Sequence, residues 1–233
     1  MESIILAGGM GTRLQSVLPD VPKCMAPVAD KPFLYHLLKA LEPAGFKHII
    51  LSLGYKHEII EKWVADYDTS TKITTVVETT PLGTGGAVKL SLSKATQSDV
   101  FVLNGDTFLI PDFKRMLDFH KEKKVSATLA LKEMQHIDRY GLVETDKNLK
   151  IVRFLEKQQG KSGKINGGVY LIRKDALDEL PEKFSLEKDF FEKVTSSGRL
   201  AGFPVNGYFI DIGVPEDYER AQTDFANETY KTL

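Results

Sequence analysis

The chain has 233 residues, with Lys+Arg 31 against Asp+Glu 32 and a formal net charge of -1, so no charge excess points to nucleic acid or to an anionic membrane surface. Its composition, 42% hydrophobic and 27% charged, is that of a globular protein able to bury a substantial core. The lone cysteine, Cys24, excludes an internal disulfide, and no apolar run approaches the roughly 20 residues of a membrane span, so a cytoplasmic protein without a membrane partner is expected.

Ser3 to Leu6 is a short apolar run closed by glycines, the pattern of a strand buried on both faces. Phe33 to Leu41 has helical spacing, with Pro32 at the expected first helical position. His48 to Leu53 reads as a strand, His57 to Tyr67 as an amphipathic helix, and Lys72 to Val77 as a β-branched strand. Gly85 to Leu92 reads as a helix and Val100 to Leu103 as a buried strand. From about residue 125 the pattern loosens. Ser126 to Leu131, Gly141 to Thr145 and Ile165 to Ile172 read as strands, with a polar stretch between the last two. Leu186 to Ser196 and Pro215 to Phe225 read as helices.

This alternation predicts an α/β fold around a largely parallel sheet, with ligands outside the carboxyl ends of its strands. No repeat or Pro/Ser-rich linker divides the chain, so one domain is expected over 1–233, with about 1–125 and about 126–233 as its halves.

Leu6-Ala7-Gly8-Gly9-Met10-Gly11-Thr12-Arg13-Leu14 follows the first strand directly. Glycines there let the backbone approach a ligand closely, exposed N–H groups make a concave anion site, and Arg13 adds a planar fork of donors. The Walker Gly-Lys-Ser/Thr is absent, and Gly9-x-Gly11 is followed by Leu14 where a dinucleotide loop needs glycine. A bare strand-to-helix turn would also use such glycines. Pro22-Lys23-Cys24-Met25-Ala26-Pro27 holds one lysine between stiffening prolines. Such a lysine suits a phosphoryl group, though a solvated surface lysine would look the same.

Together, the glycine loop and Pro22-Lys23 resemble the signature of the nucleotide-sugar pyrophosphorylases, the sugar-1-phosphate nucleotidyltransferase family. The resemblance runs from the first strand to Pro215-Glu216-Asp217-Tyr218. It implies a Rossmann-like three-layer α/β/α sandwich with a mostly parallel central sheet. It also implies a nucleotide held by Leu6, Ala7, Gly8, Gly9, Gly11 and Thr12, with Arg13 and Lys23 at the reacting phosphates.

Glu78-Thr79-Thr80-Pro81-Leu82-Gly83-Thr84-Gly85-Gly86-Ala87 resembles the family's base-contacting loop, which assigns Pro81, Gly83 and Thr84 to the nucleotide and Glu78 to the base edge. The same segment reads as a Pro/Gly turn with Thr84 capping the following helix. An ionised Glu is an acceptor only. Guanine offers N1–H and an exocyclic amine side by side, whereas uracil and thymine offer one imide N–H flanked by carbonyls. GTP is therefore expected over UTP or dTTP.

Val100 to Asp106 is an apolar strand ending in a carboxylate, and Tyr208 to Pro215 repeats the arrangement around Asp211. Either Asp could be a turn former or cap. The resemblance of Asn104-Gly105-Asp106 and Ile210-Asp211-Ile212-Gly213 to the family's metal motifs makes Asp106 and Asp211 ligands of Mg2+, an ion that takes one or two carboxylates plus phosphates and water. It also makes Asp106 catalytic, beside Arg13 and Lys23. Val214 departs from the threonine common after that glycine.

Tyr140-Gly141-Leu142-Val143, Phe154-Leu155-Glu156-Lys157 and Ile165-Asn166-Gly167-Gly168-Val169-Tyr170 resemble the family's sugar-side motifs. They imply Gly141, Glu156, Lys157 and Asn166 at the sugar 1-phosphate, with Asn104 and Asp211 beside them. Gln158 stands where the family often has proline. Glu156 and Lys157 alone would read as a solvated pair, as Lys161 and Lys164 do.

Among compact members the chain looks most like bacterial D-glycero-α-D-manno-heptose 1-phosphate guanylyltransferases, then mannose-1-phosphate guanylyltransferases, then uridylyl, thymidylyl and cytidylyl members. Substrates of GTP and a sugar 1-phosphate follow from this, with a homo-oligomer left open. A glycosyltransferase of similar sheet should carry Asp-x-Asp, and Asn104 stands at the first position. A regulatory relative without catalysis should have lost a metal Asp or phosphate Lys, and none is missing.

Overall fold

The computed structural model describes residues 1–9, 20–135, 140–155 and 162–231. Strand β1 (Glu2–Leu6) precedes the short antiparallel pair β2 (Pro27–Val28) and β3 (Lys31–Pro32), helix α1 (Phe33–Leu41) and β4 (His48–Leu53). There follow α2 (His57–Ala65), β5 (Lys72–Val77), α3 (Gly83–Leu92), β6 (Asp99–Asn104), β7 (Thr107–Phe108) and α4 (Phe113–Lys123). Next come β8 (Ala127–Met134), β9 (Leu142–Thr145), β10 (Ile151–Leu155) and the long β11 (Gly163–Arg173). A π-helical stretch, Leu186–Phe191, runs into α5 (Glu192–Val194), and then come β12 (Leu200–Val205), β13 (Ile210–Asp211) and α6 (Pro215–Ala226).

Strands β6, β1, β4 and β5 lie side by side and parallel, the expected centre of the α/β fold. Strand β11 joins antiparallel to β6 and extends the same sheet to β9 and β10, and to β8 and β12. Alternation along the central strands sorts the core into two layers. Ile5, Leu51, Phe101 and Leu103 pack with α1, α2 and α4, whereas Ile4, Ile50, Val100 and Val102 pack with α3 and the Phe184 to Phe191 segment. Each such side chain taken fully out of water contributes about 1.5–3 kcal/mol. Among the described residues no helix is long and apolar enough to cross a membrane.

Several local expectations change. Pro32 is the residue before α1 rather than its first, because Phe33 N–H donates to Ala26 O at 3.0 Å and keeps Pro32 extended, paired with Pro27. The polar stretch after β9 contains β10, which pairs antiparallel with β9. Leu186 to Ser196 forms successive π, α and 3-10 turns in place of one helix. Helix α4 and strand β12 lie in stretches where no element was expected.

Candidate active site

Because β1, β4, β5 and β6 run parallel, their carboxyl ends open at one edge of the sheet. The chain leaves them at Ala7, Gly54, Glu78 and Gly105, and backbone bonds fix these exits together. Ala7 N–H donates to Ser52 O at 2.8 Å, Tyr55 N–H to Gly8 O at 3.2 Å, and Gly105 N–H to Leu6 O at 2.9 Å. Above them lies a cleft of about 590 Å³, lined on one side by Leu6, Gly8, Gly9, Asn104 and Asp106. Its other walls come from Glu78, Pro81, Gly83 and Thr84. Nine residues expected at the nucleotide or sugar thus share one cavity. Ala7 is buried beneath it. Gly11, Thr12 and Arg13 lie outside the described residues, as do Glu156 and Lys157.

Glu78 folds across the floor of this cleft. Its Oε2 accepts from Leu82 N–H at 3.1 Å, and a Cβ on Gly54 would come within 2.7 Å of its Oε1. Only glycine at 54 leaves that oxygen room. Thr84 does not supply the cap expected of it: α3 begins at Gly83 after Leu82, with no side-chain cap. Thr84 turns instead toward the other half of the chain, accepting from Leu186 N–H at 2.9 Å and donating to Glu187 Oε2 at 2.8 Å.

Lys23, Asp106 and Asp211 meet beside the cleft. Buried Cys24 and Met25 anchor the 3-10 turn Lys23–Met25. Asp211 is brought from far along the chain, because β13 pairs with β7 and Ile212 N–H donates to Asp106 O at 3.0 Å. Lys23 Nζ lies 2.5 Å from Asp106 Oδ2 and 3.6 Å from Asp211 Oδ1. Two carboxylates around one ammonium are already arranged for a positive charge. Their all-oxygen, two-carboxylate set fits Mg2+, whose remaining ligands come from phosphate and water. Burial, with help from the Asp106 charge, pushes the Cys24 thiol up to about 12, so this cysteine is a packing residue and no nucleophile.

Asn104 and Asn166 belong to one polar cluster. Asn166 Nδ2 donates to the Tyr170 hydroxyl at 2.9 Å, its Oδ1 accepts from Gly168 N–H at 3.0 Å, and Asn104 reaches the same hydroxyl. Asn166 pairs with Leu131, and the register of β11 against β8 shifts between it and Tyr170, which pairs with Leu129. Gly141 sits apart, exposed before β9 and close to Leu155 O.

The cleft also takes residues that the motifs did not indicate: Ser52, Gly54, Tyr55, Thr79, Thr80, Ala87 and Glu187. Thr79, Thr80 and Ala87 sit inside the Glu78 to Ala87 segment and were within reach of the sequence. Glu187 arrives only through folding.

The Nucleotidyl transferase family model matches residues 2–228. The D-glycero-alpha-D-manno-heptose 1-phosphate guanylyltransferase of Aneurinibacillus thermoaerophilus is 44% identical over 226 residues, covering 96% of this chain and 98% of the relative. The mannose-1-phosphate guanylyltransferase of Mycobacterium tuberculosis is 34% identical, covering 96% of this chain and 64% of the relative. Among solved structures, HddC from Yersinia pseudotuberculosis, also solved complexed with GMP-PN, superposes with a TM-score of 0.87 at 39% identity, over 96% of this chain and 99% of that one. With a matching model along nearly its whole length and the strand-end cleft that such chemistry needs, the chain belongs to the nucleotidyl transferase family.

Proposed function

We propose that this chain transfers a guanylyl group from GTP to a sugar 1-phosphate, D-glycero-α-D-manno-heptose 1-phosphate, releasing pyrophosphate. The observation that carries this reading is the convergence of Glu78 and the Lys23–Asp106–Asp211 cluster on one strand-end edge. Similarity to the Aneurinibacillus relative supports the heptose, and mannose 1-phosphate is the second reading, favoured by the mycobacterial relative.

Glu78 reads the base: Leu82 N–H uses one of its roughly four acceptor positions, and the others suit the two adjacent guanine donors. The glycine loop, with Gly11, Thr12 and Arg13, cradles the nucleotide phosphates. Glu156 and Asn166 take sugar hydroxyls, Gly141 lies beside the ring, and Lys157 takes the sugar phosphate. An oxygen of that phosphate attacks the α-phosphorus; the new P–O bond forms as the bond to the β-phosphate bridge breaks, and pyrophosphate departs with the electron pair. The attacking oxygen is already charged, so no protein base is needed. Lys23 neutralises charge at the reacting phosphates and Arg13 orients them, and both effects lower the barrier by several kcal/mol. Asp106 and Asp211 would hold Mg2+, which when bound neutralises phosphate charge. We read the chain as one cytoplasmic unit, its halves divided near residue 125.

Asp106→Ala should lower pyrophosphate release at least 100-fold, in line with the loss of a preorganised charge partner, while thermal melting shows the fold retained. A folded variant with near-normal turnover would overturn the role given to Asp106.

A further inference from the structure

Glu187 stands far from every motif singled out in the sequence, yet its side chain lines the same cleft as Glu78 and Asp106. Its carboxylate is held from one side only. Thr84 Oγ1 at 2.8 Å and Ser185 Oγ at 3.1 Å both donate to Oε2, and Oε1 makes no hydrogen bond among the described residues. Thr84 is itself fixed, since its Oγ1 accepts from Leu186 N–H at 2.9 Å. The carboxylate is thus oriented before any ligand arrives, with one oxygen left to accept.

The backbone that carries Glu187 is equally constrained. It lies in the first turn of the π-helical stretch Leu186–Phe191, a local widening that recurs at functional sites. Phe184 and Leu186 before Glu187 are both buried, and the Phe184 carbonyl accepts from both Gly85 and Gly86 N–H at 3.0 and 3.3 Å. On the far side, Phe191 packs on Tyr170 with ring centroids 5.1 Å apart. Asn104, which reaches the Tyr170 hydroxyl beside Asn166, lines the same cleft as Glu187, and the Glu187 charge adds to the burial that raises the Tyr170 phenol above its usual range. Glu187 therefore sits between the α3 end of the nucleotide loop and the polar cluster assigned to the sugar.

We infer that Glu187 is a specificity-determining residue that accepts a hydrogen bond from a hydroxyl of the sugar 1-phosphate through Oε1, with Thr84 as its positioning residue. A fixed, acceptor-only oxygen selects a hydroxyl over a hydrogen or an ether at one ring position. The inference rests on the sugar 1-phosphate reading above and extends it to a residue outside the recognised motifs.

The test is steady-state kinetics with GTP and the sugar 1-phosphate for wild type, Glu187→Ala and Glu187→Gln, with singly deoxygenated sugar 1-phosphates as a second series. Glu187→Gln keeps an oxygen for Thr84 and Ser185, so it guards against mere collapse of the segment, and melting curves verify the fold. KM for the sugar phosphate should rise about 10-fold or more in both variants, with KM for GTP changed less than about 2-fold. One deoxy analogue should be discriminated against by wild type and no longer by Glu187→Ala. Unchanged sugar KM in folded variants, or an effect that follows 2′- or 3′-deoxy-GTP instead, would overturn the inference while leaving the reaction standing. A wild type silent with every sugar phosphate would overturn the underlying reading as well.

Discussion

Lys23 is the residue whose surroundings say most about the chemistry. Its ammonium lies against Asp106 and Asp211, each partly exposed at 32% and 24% of the side chain. Two unit charges about 4 Å apart interact by roughly 4 kcal/mol at an effective dielectric near 20. If Asp106 and Asp211 hold a divalent cation as proposed, Lys23 would compete with it for the same carboxylates in the absence of substrate. Lys23→Met should tighten Mn2+ binding in the absence of nucleotide by on the order of 10-fold, a 1.4 kcal/mol change, measured by calorimetry. Equal or weaker binding in the variant would mean that the ammonium does not occupy the cation's place. The sequence made Lys23 and Asp106 legible because each sits in a short local motif. Glu187 was not legible: its place depends on Thr84 and Leu186, separated by 102 residues and joined by one hydrogen bond.

At the scale of elements, the start of α3 shows why three glycines stand together at 83, 85 and 86. Gly83 adopts φ +74°, and a Cβ on Gly85 would fall within the Phe184 ring. The resemblance assigns Gly83 to the nucleotide; the packing gives the neighbouring glycines a second task, seating the segment that carries Glu187. In an open helix, Gly→Ala would stabilise by up to about 1 kcal/mol. Here Gly85→Ala should destabilise by about 1–3 kcal/mol, the usual cost of overpacking, and the penalty should shrink when Phe184→Ala is added. Thermal melting of the two single variants and the double variant measures that coupling; a stabilised Gly85→Ala would refute the packing argument. The elements that escaped sequence reading have physical reasons of their own. Helix α4 is dominated by charged residues and buries only Phe113, Met116 and His120, with Asp112 Oδ1 accepting from Arg115 N–H at 3.0 Å as its cap. Strand β12 carries Pro204 and tolerates it because, among the described strands, it pairs with β8 alone, its other side meeting only Leu149 and Lys150 at Ala201 and Gly202.

Over the whole molecule, the central strands were legible because burial on both faces makes them continuous apolar runs. The mixed part of the sheet was less so, since β10 fully buries only Ile151 and breaks its register at Ile151/Arg153. That mixed part matters to function: β11 continues the sheet from β6 and carries Asn166 toward the end where Asp106 lies. In the proposed reading the cleft at the ends of the parallel strands takes the nucleotide, and Asn166 on the antiparallel β11 faces the sugar. The most direct measurement is pyrophosphate release by the purified protein with Mg2+, crossing GTP, UTP, dTTP and CTP with heptose, mannose and glucose 1-phosphates. Release with GTP and manno-heptose 1-phosphate above every other pair is the predicted result. Preference for UTP, dTTP or CTP would contradict the role given to Glu78, and no release from any pair would contradict the proposed transfer itself.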